Sequence, residues 1–404
     1  MPRKLPSRII ACAALAWLVS DCGSSAEEQS PKPATPPPEF HASYVADILA
    51  NVSGGQKTGA AYDGLFKLSL QLHLDQVLRR NGWKGASLFA SALYPHGGGL
   101  TNSYTRDLNG VSSIDGYDSL RLNELWLDKS FGEQASLRAG LLAVDTEFFA
   151  CDSGSLFLNG CFGALPIIEF NFEAPAYPLT SPGVRLALSP ADHLTIRGAI
   201  LSGDVGTQNG NNQHGGRGVF NSRSGVLFLA EATYQSSGKL PGTFTLGGFY
   251  HSGKFTDLDG GGSRADEGGL YLVIDQALSR EPPPTTSDAS VSSKQGLHAF
   301  CRLGVTFPDS INVVSHYVEA GLTYDGLLPG RDQDSCGIAF SYTRVNPGSE
   351  DTERPYEVLI EATYQVVLND RLSIQPDLQY IANPGATGQL SDAWVAGVRL
   401  SLAY

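Results

Sequence analysis

Arginines and carboxylates recur in this sequence within segments where polar and apolar residues alternate. Each arginine stands between Leu, Ile, Val or other apolar neighbours and falls in the inward phase of a predicted strand; these residues are Arg138, Arg185, Arg197, Arg302 and Arg399. The carboxylates in the same phase are Glu231, Glu319, Glu357 and Glu361. Arg supplies fixed, planar donors and Glu supplies acceptors. Opposed across a narrow space, they would orient water and the hydroxyl groups of a polar solute, or they would form the ion pairs of a solvated wall.

Catalytic and metal-binding motifs do not account for these residues. The sequence contains no GxSxG and no HExxH motif. The run from Gly54 to Thr58 lacks the Gly that must precede Lys in a phosphate-binding loop. The run from Asp257 to Gly268 hints at a calcium loop, but Gly268 stands where a bidentate Glu belongs. We therefore expect no enzyme, no metal and no other cofactor.

The composition favours a protein built of many short strands. Charged residues make up 17% of the 404 residues, well under the usual quarter, and 46 residues are Gly. The net charge of −13 argues against nucleic acid as a partner. No apolar run is long enough to form a membrane-spanning helix.

Alternation with a period of two predicts sixteen strands. They cover about 40–50, 63–75, 85–94, 119–129, 135–144, 183–189, 193–202, 225–235, 243–252, 268–278, 297–307, 316–326, 336–345, 356–368, 373–382 and 393–404. Strands of about ten residues cross hydrocarbon when tilted, and several of these end near Tyr, Trp or Phe. Because lipid cannot hydrogen-bond the backbone, such strands must close, so we predict an all-β, transmembrane antiparallel β-barrel. A secreted soluble β-sandwich is the alternative.

The segment 119–129 fits this alternation poorly. Glu124 and Asp128 share a phase with Leu120, Leu122 and Trp126. A charge that faces the middle of the bilayer costs about 2–4 kcal/mol. Either this strand leans on a neighbouring subunit, or its phase is wrong.

The first 26 residues predict an export signal. Basic residues precede an apolar stretch over 9–19, and small residues follow, so we expect cleavage after Ala26. Lipid attachment at Cys22 is the alternative, although Asp21 stands where a lipoprotein signal needs a small residue. Residues 27–39 are then a Pro-rich periplasmic tether, and residues 40–404 form the barrel domain.

Export also places the remaining cysteines where thiols can be oxidised. Cys151 and Cys161 flank a short segment, and we expect a disulfide between them to staple one loop. Cys301 and Cys336 fall in the apolar phase of strands that are separated by one other strand. At about 10 Å they lie beyond disulfide reach, so we expect both to stay unpaired.

Several runs of residues, in order along nearly the whole mature chain, resemble one family. They include Asn51-Val-Ser-Gly-Gly55, Gly82-Trp83-Lys-Gly85, Ala174-Pro175-Ala-Tyr177-Pro178, Gly326-Leu-Leu-Pro-Gly-Arg331 and Gln375-Pro376-Asp377-Leu378-Gln379-Tyr380. In these the sequence is similar to the carbohydrate-selective porins (OprB type) of Gram-negative outer membranes. It departs from them by lacking a Trp- and Gly-rich segment before the first strand and by ending in Tyr404, where Phe is commoner.

The resemblance implies passive uptake of glucose and related sugars through an outer-membrane barrel that is narrowed by an in-folded loop. The longest connection, from about 145 to 182, is the candidate loop, and it adds Phe162, Glu169, Asn171 and Tyr177 to the candidate sugar contacts. With an even strand count, both termini are expected in the periplasm. Expected partners are monosaccharides, outer-membrane lipid and the barrel-assembly machinery, which would read Tyr404; whether the protein is a homotrimer or a monomer stays open. A general or anion-leaning porin for sugar acids and a soluble glycan-binding protein are the alternatives.

Overall fold

A computed structural model describes residues 38–78, 81–208, 210–217, 224–281, 295–346 and 354–404 of the chain. The predicted signal peptide, Cys22 and residues 27–37 of the predicted tether lie outside the described residues. Helical pieces in the described ranges are short: α1 (Leu74–Leu78), α2 (Pro166–Glu169), a π-helical turn (Thr101–Thr105) and the 3-10 turns Asn81–Trp83, Val144–Thr146, Gly154–Leu156, Gly160–Phe162 and Pro384–Ala386. None of these described helices is long and apolar enough to cross a membrane.

Sixteen antiparallel strands close into one barrel, which confirms the predicted fold class and strand count. Each strand pairs with its neighbours in sequence, and β1 pairs with β16. The strands are β1 (Glu39–Gly55), β2 (Gly59–His73), β3 (Ala86–Gly97), β4 (Arg121–Phe131), β5 (Ala135–Leu142), β6 (Ser181–Ala191), β7 (Leu194–Ser202), β8 (Val226–Ser236), β9 (Gly242–Thr256), β10 (Ser263–Ala277), β11 (Gly296–Phe307), β12 (Val314–Asp325), β13 (Ser335–Val345), β14 (Tyr356–Asn369), β15 (Leu372–Ala382) and β16 (Ser391–Ala403).

The two faces of the barrel wall differ in the way that the alternation predicts. On β9, Leu246 is 63% exposed on the outer surface, whereas its neighbour Thr245 is 3% exposed and faces inward. On β10, Leu270 is 54% exposed and Tyr271 is 2% exposed. Because adjacent side chains of a strand point to opposite faces, the outer surface is an apolar belt and the inner surface carries the polar residues.

Aromatic residues line both edges of this belt. We call the edge where β1 begins and β16 ends the terminal rim, and the opposite edge the far rim. At the far rim the hydroxyls of Tyr250 and Tyr380 donate to Asp266 and Asp392, each at 2.6 Å. At the terminal rim the hydroxyl of Tyr324 donates to Glu281 at 2.8 Å. Rings on the apolar side with hydroxyls on the wet side form the two girdles expected at membrane interfaces.

The segment 119–129 contains a β-bulge that settles its phase. Between β3 and β4 the register shifts, so that Asn123 and Glu124 both lie opposite Ser91, whose hydroxyl oxygen accepts from the Asn123 amide and the Glu124 backbone N–H, both at 3.2 Å. A bulge reverses which residues face inward. Glu124 and Trp126 are therefore buried inside the barrel, while Leu125 is 43% exposed outside. The alternative of a wrong phase is correct, and neither Glu124 nor Asp128 faces lipid.

Two long connections at the far rim fold into the barrel. The first inward loop, residues 98–120, joins β3 to β4, and the second inward loop, residues 143–180, joins β5 to β6. The second is the predicted constriction loop; the inward path of the first was not anticipated. The loops also bind each other, because the backbone N–H of Ser113 donates to Leu158 at 2.7 Å and the Tyr177 hydroxyl donates to Ile114 at 2.8 Å.

The second inward loop packs an apolar core against one side of the wall. Its residues Phe149, Leu158, Leu165, Ile167 and Ile168 are each at most 1% exposed. Wall glycines make room for it: a Cβ on Gly304 would lie 2.5 Å from Ile167, and one on Gly337 would lie 2.8 Å from the Phe157 ring. This side of the lumen is therefore filled by packed apolar side chains of the second inward loop.

Candidate functional site

Four charged side chains meet where the second inward loop leaves the wall. Arg138 on β5 donates from Nε to Asp128 on β4 at 3.0 Å, and its Nη1 lies 3.4 Å from Glu147 of the loop. Arg185 on β6 donates to Glu147 at 2.7 Å and to Asp128 at 3.0 Å. Asp128, Arg138, Glu147 and Arg185 form what we call the neck cluster. Its two positive and two negative charges balance.

The two arginines of the neck cluster differ in how many of their N–H donors are already hydrogen-bonded. Arg185 is 4% exposed in its side chain, and all three of its nitrogens donate to Ser136, Asp128 or Glu147. Arg138 is 17% exposed, and its Nη2 has no partner among the described residues. Arg138 therefore presents unused N–H donors to the lumen, while Arg185 holds the carboxylates in place.

An aromatic stack lies behind Arg138. The Arg138 Cζ atom is 3.6 Å from the centre of the Trp126 ring, and Phe89 stacks at 4.8 Å and 17° on Trp126. The indole Nε1–H donates to Glu124 at 3.3 Å. Cation–π contact of this kind favours a guanidinium over an ammonium.

Two cavities lie beside the second inward loop, a small one at the neck cluster and a larger one toward the terminal rim. A gap of about 10 Å³ separates the loop from the wall, lined by Glu124, Arg138, Leu142, Ala143, Val144, Glu147, Phe148, Arg185, Ala199 and Leu201. That volume holds about one water molecule. Toward the terminal rim lies a chamber of about 820 Å³, whose polar lining includes Asp152, His193, Asp275 and Arg280.

Arg197 and Glu231, both predicted site residues, form a second pair beside the neck cluster. Arg197 Nη1 donates to Glu231 at 2.9 Å, and the Arg197 side chain is 28% exposed whereas that of Glu231 is 2% exposed. Glu231 also accepts from the Phe149 backbone N–H and the Tyr271 hydroxyl, both at 2.9 Å. Arg197 thus faces the lumen, and Glu231 anchors the loop.

The other predicted contacts mainly hold the two loops. Arg302 is 1% exposed, pairs with Glu319, and donates to the carbonyls of Gly163 and Cys161 at 2.8 and 2.9 Å. Arg399 pairs with Asp47 at 2.7 Å and donates to Ser113 of the first inward loop at 3.0 Å.

Within the second inward loop itself the predicted residues have similar roles. Asn171 exchanges two hydrogen bonds with the backbone of Val314, at 2.8 and 2.9 Å. Phe162 packs on Phe157 with ring centres 4.9 Å apart, and Tyr177 joins the two loops. Glu169 ends α2 and is half-buried.

The predicted disulfide between Cys151 and Cys161 is wrong. Both thiols are free and buried. Cys151 Sγ faces the Asp275 carboxylate at 3.7 Å, while the Cys161 side chain contacts Ser341 on another part of the wall. Hydrogen bonds to carboxylates of the wall hold the segment between these two cysteines in place without a disulfide. Cys301 and Cys336 are free as well, on β11 and β13, as predicted.

Asp128, Glu124 and Trp126 were not predicted as site residues, because the alternation alone left the phase of their strand open. The signal for them was the pair of consecutive polar residues Asn123 and Glu124, which breaks the alternation where a bulge can form. No group of three or more His, Cys, Asp or Glu side chains in the described ranges is arranged to hold a metal ion.

Comparison with known proteins gives the same picture as the geometry. A sequence model described as "Carbohydrate-selective porin, OprB family" matches residues 57–404. The chain belongs to this family. It is therefore a sugar-selective channel of the outer membrane and a multi-pass β-barrel. The sequence is also 26% identical to Porin B of Pseudomonas aeruginosa, over 96% of this chain and 91% of that protein.

Two further relatives support the fold and its extent. The chain is 21% identical to the putative porin QuiX of Acinetobacter baylyi, over 96% of this chain and 93% of that protein. The high-pH structure of Pseudomonas putida OprB superposes with a TM-score of 0.78 at 21% identity, over 91% of this chain and 94% of that one. This carbohydrate-selective porin therefore has the OprB barrel along almost its whole described length.

Proposed function

We propose that this porin conducts neutral monosaccharides such as glucose by diffusion into the periplasm, and that Arg138 is the donor that their hydroxyl groups meet at the neck. The observation that carries this proposal is the Arg138 side chain, which is 17% exposed beside two carboxylates and whose Nη2 has no partner among the described residues. A sugar hydroxyl both donates and accepts, so it can bind Arg138 and Asp128 or Glu147 together. No charge on the solute is needed.

Charge balance favours a neutral solute over an acidic one. Arg138 and Arg185 share Asp128 and Glu147, and Arg197 is paired with Glu231. A pore that selected anions would present arginines without such partners. Balanced sites also bind weakly, which conduction requires, because a solute that is held tightly does not leave.

The remaining predicted contacts support the site indirectly in this proposal. Arg302, Arg399, Glu231, Phe162, Asn171 and Tyr177 position the two inward loops, and Arg197 meets the solute beside the neck. Arg185 fixes the carboxylates that Arg138 needs. The pore is selective because these anchors keep the neck at one size.

The orientation in the membrane follows from the rims. We propose that the terminal rim faces the periplasm, since β1 begins and β16 ends there and the inward loops enter from the far rim. The apolar belt contacts outer-membrane lipid. Tyr404, which is 76% exposed and pairs through its backbone with Ala42, is the residue offered to the barrel-assembly machinery. A homotrimer stays a prediction.

Liposome swelling with purified protein tests the role of Arg138. Arg138→Gln is expected to change the rate of glucose entry severalfold, because the free guanidinium donors are lost. Arg264→Gln, at an exposed position where β10 begins, serves as the matched control and leaves the rate unchanged. Equal glucose rates for wild type and Arg138→Gln would refute the proposed site.

A further inference from the structure

We propose that Trp126, backed by Phe89, is a positioning residue that fixes the plane of the Arg138 guanidinium and thereby the selectivity of the neck among sugar epimers. This inference rests on the proposed role of Arg138 as the sugar donor. Trp126 is 7% exposed, so it acts through Arg138 rather than by touching the solute.

The distance between the two groups determines their orientation. Arg138 Cζ lies 3.6 Å from the centre of the Trp126 ring. The guanidinium nitrogens are about 1.3 Å from Cζ. If the guanidinium stood upright on the ring, one nitrogen would come within about 2.3 Å of it, far inside van der Waals contact. The guanidinium must therefore lie nearly flat on the indole.

The indole is itself held in place from three directions. Phe89 stacks on it at 4.8 Å and 17°, and the Glu124 carboxylate accepts its N–H at 3.3 Å. Across the strand pair its partner is Gly140, where a Cβ would lie 2.6 Å from the Trp126 Cα. A side chain at Gly140 would therefore collide with the backbone of β4 at Trp126. Phe89, Trp126 and Arg138 form a three-layer stack that we call the neck stack.

A flat guanidinium has a defined set of donor directions. All of its N–H groups lie in the plane of the group. Nε donates to Asp128, and Nη1 lies 3.4 Å from Glu147, so the open donors are those of Nη2 and at least one N–H of Nη1, and the neck stack sets the plane in which all of them lie. A donor with one direction distinguishes an equatorial hydroxyl from an axial one, whereas a freely rotating cation binds both.

Current block by glucose and by galactose, its C4 epimer, measures this selectivity in single channels. Trp126→Leu is expected to raise the half-blocking glucose concentration about threefold to tenfold. It is also expected to bring the ratio of the half-blocking concentrations of glucose and galactose close to one. Trp126→Phe keeps a flat ring and retains most of the ratio. Trp394→Leu, a matched loss of a lipid-facing indole that is 43% exposed, changes neither value. Phe89→Leu, which removes the outer layer without touching Arg138, lowers the ratio in a channel whose Trp126 is intact.

The outcomes separate this inference from the function on which it rests. If Arg138→Gln abolishes block while Trp126→Leu and Phe89→Leu keep the wild-type ratio, the positioning role is wrong and the sugar site stands. If Arg138→Gln leaves block unchanged, the sugar site fails and the positioning role fails with it. Loss of the ratio in Trp126→Leu, with the ratio retained in Trp126→Phe, supports the positioning role.

Discussion

Arg302 on β11 and Glu319 on β12 lie directly opposite each other in the barrel wall. Arg302 also donates hydrogen bonds to two backbone carbonyls of the second inward loop. Both side chains are at most 1% exposed. The second inward loop is therefore part of the buried core of the barrel.

Breaking this pair should destabilise the barrel strongly. Arg302→Met leaves Glu319 buried without its partner, which costs about 3–5 kcal/mol in the free energy of unfolding. The double variant Arg302→Met/Glu319→Leu removes both charges and is expected to recover part of that loss. Urea unfolding in lipid vesicles measures both values. A double variant no more stable than the single one would show that the loop contacts of Arg302, and not the buried charge, dominate.

Loosening the first inward loop should widen the pore. Glu357 accepts the backbone N–H groups of Leu108 and Asn109 at 2.6 and 3.1 Å. Glu357→Gln places an amide donor against these donors and costs about 1–3 kcal/mol. Single-channel conductance is expected to rise. Glu281→Gln, which alters a carboxylate at the terminal rim bonded to Tyr324, is the control and leaves conductance at the wild-type value. Identical conductance in all three proteins would mean that this loop does not limit the pore.

The four cysteines of the described chain should all react as thiols. Cys151 and Cys161 are buried and free, and burial raises the pKa of both thiols well above its usual value. They should resist alkylation in the folded barrel because they are inaccessible and protonated. After unfolding without a reductant, intact mass is expected to show alkylation of Cys151, Cys161, Cys301 and Cys336. A tryptic peptide pair linked between Cys151 and Cys161 would contradict this result.

Asp145 should make the barrel less stable as the pH rises. This residue lies in the second inward loop, accepts the Tyr177 backbone N–H at 3.0 Å, and is buried, and burial raises its pKa to about 7. The unfolded chain releases this proton near pH 4, so the folded state binds more protons between about pH 4 and 7 and loses stability across that window. Asp145→Asn keeps an acceptor for Tyr177 and removes the titration. The difference in unfolding free energy between variant and wild type should grow from pH 4 to pH 7. A constant difference would show that Asp145 does not titrate there.

The strands were predictable from the sequence, and the inside of the barrel only in part. Alternation along a strand is a local property, so the sixteen segments and their two faces could be read directly. The bulge at Asn123 and Glu124 breaks the alternation by one residue, so the alternation alone could not show that Trp126 and Asp128 face the lumen. When the phase of a strand is not known, its lumen-facing site residues cannot be predicted.

Long-range contacts account for the other differences. The short spacing of Cys151 and Cys161 in the sequence is compatible with a disulfide. It does not show that each thiol faces a different part of the wall. The first inward loop is polar and irregular, like any outer connection. Its inward path depends on Glu357 and Asp47, which lie far from it in the chain. The inward arginines were predicted, but whether each faces the lumen or the loop depends on the packing of the loop.

The most direct test of sugar conduction is the ion current through single wild-type channels while glucose is titrated. Because a solute in the neck must displace the ions and water that carry the current, we expect reversible block at millimolar glucose. Potassium gluconate, matched for ionic strength and carrying a negative charge, should block less. A current that is unaffected by glucose but reduced by gluconate would contradict this account and favour a pore for anions.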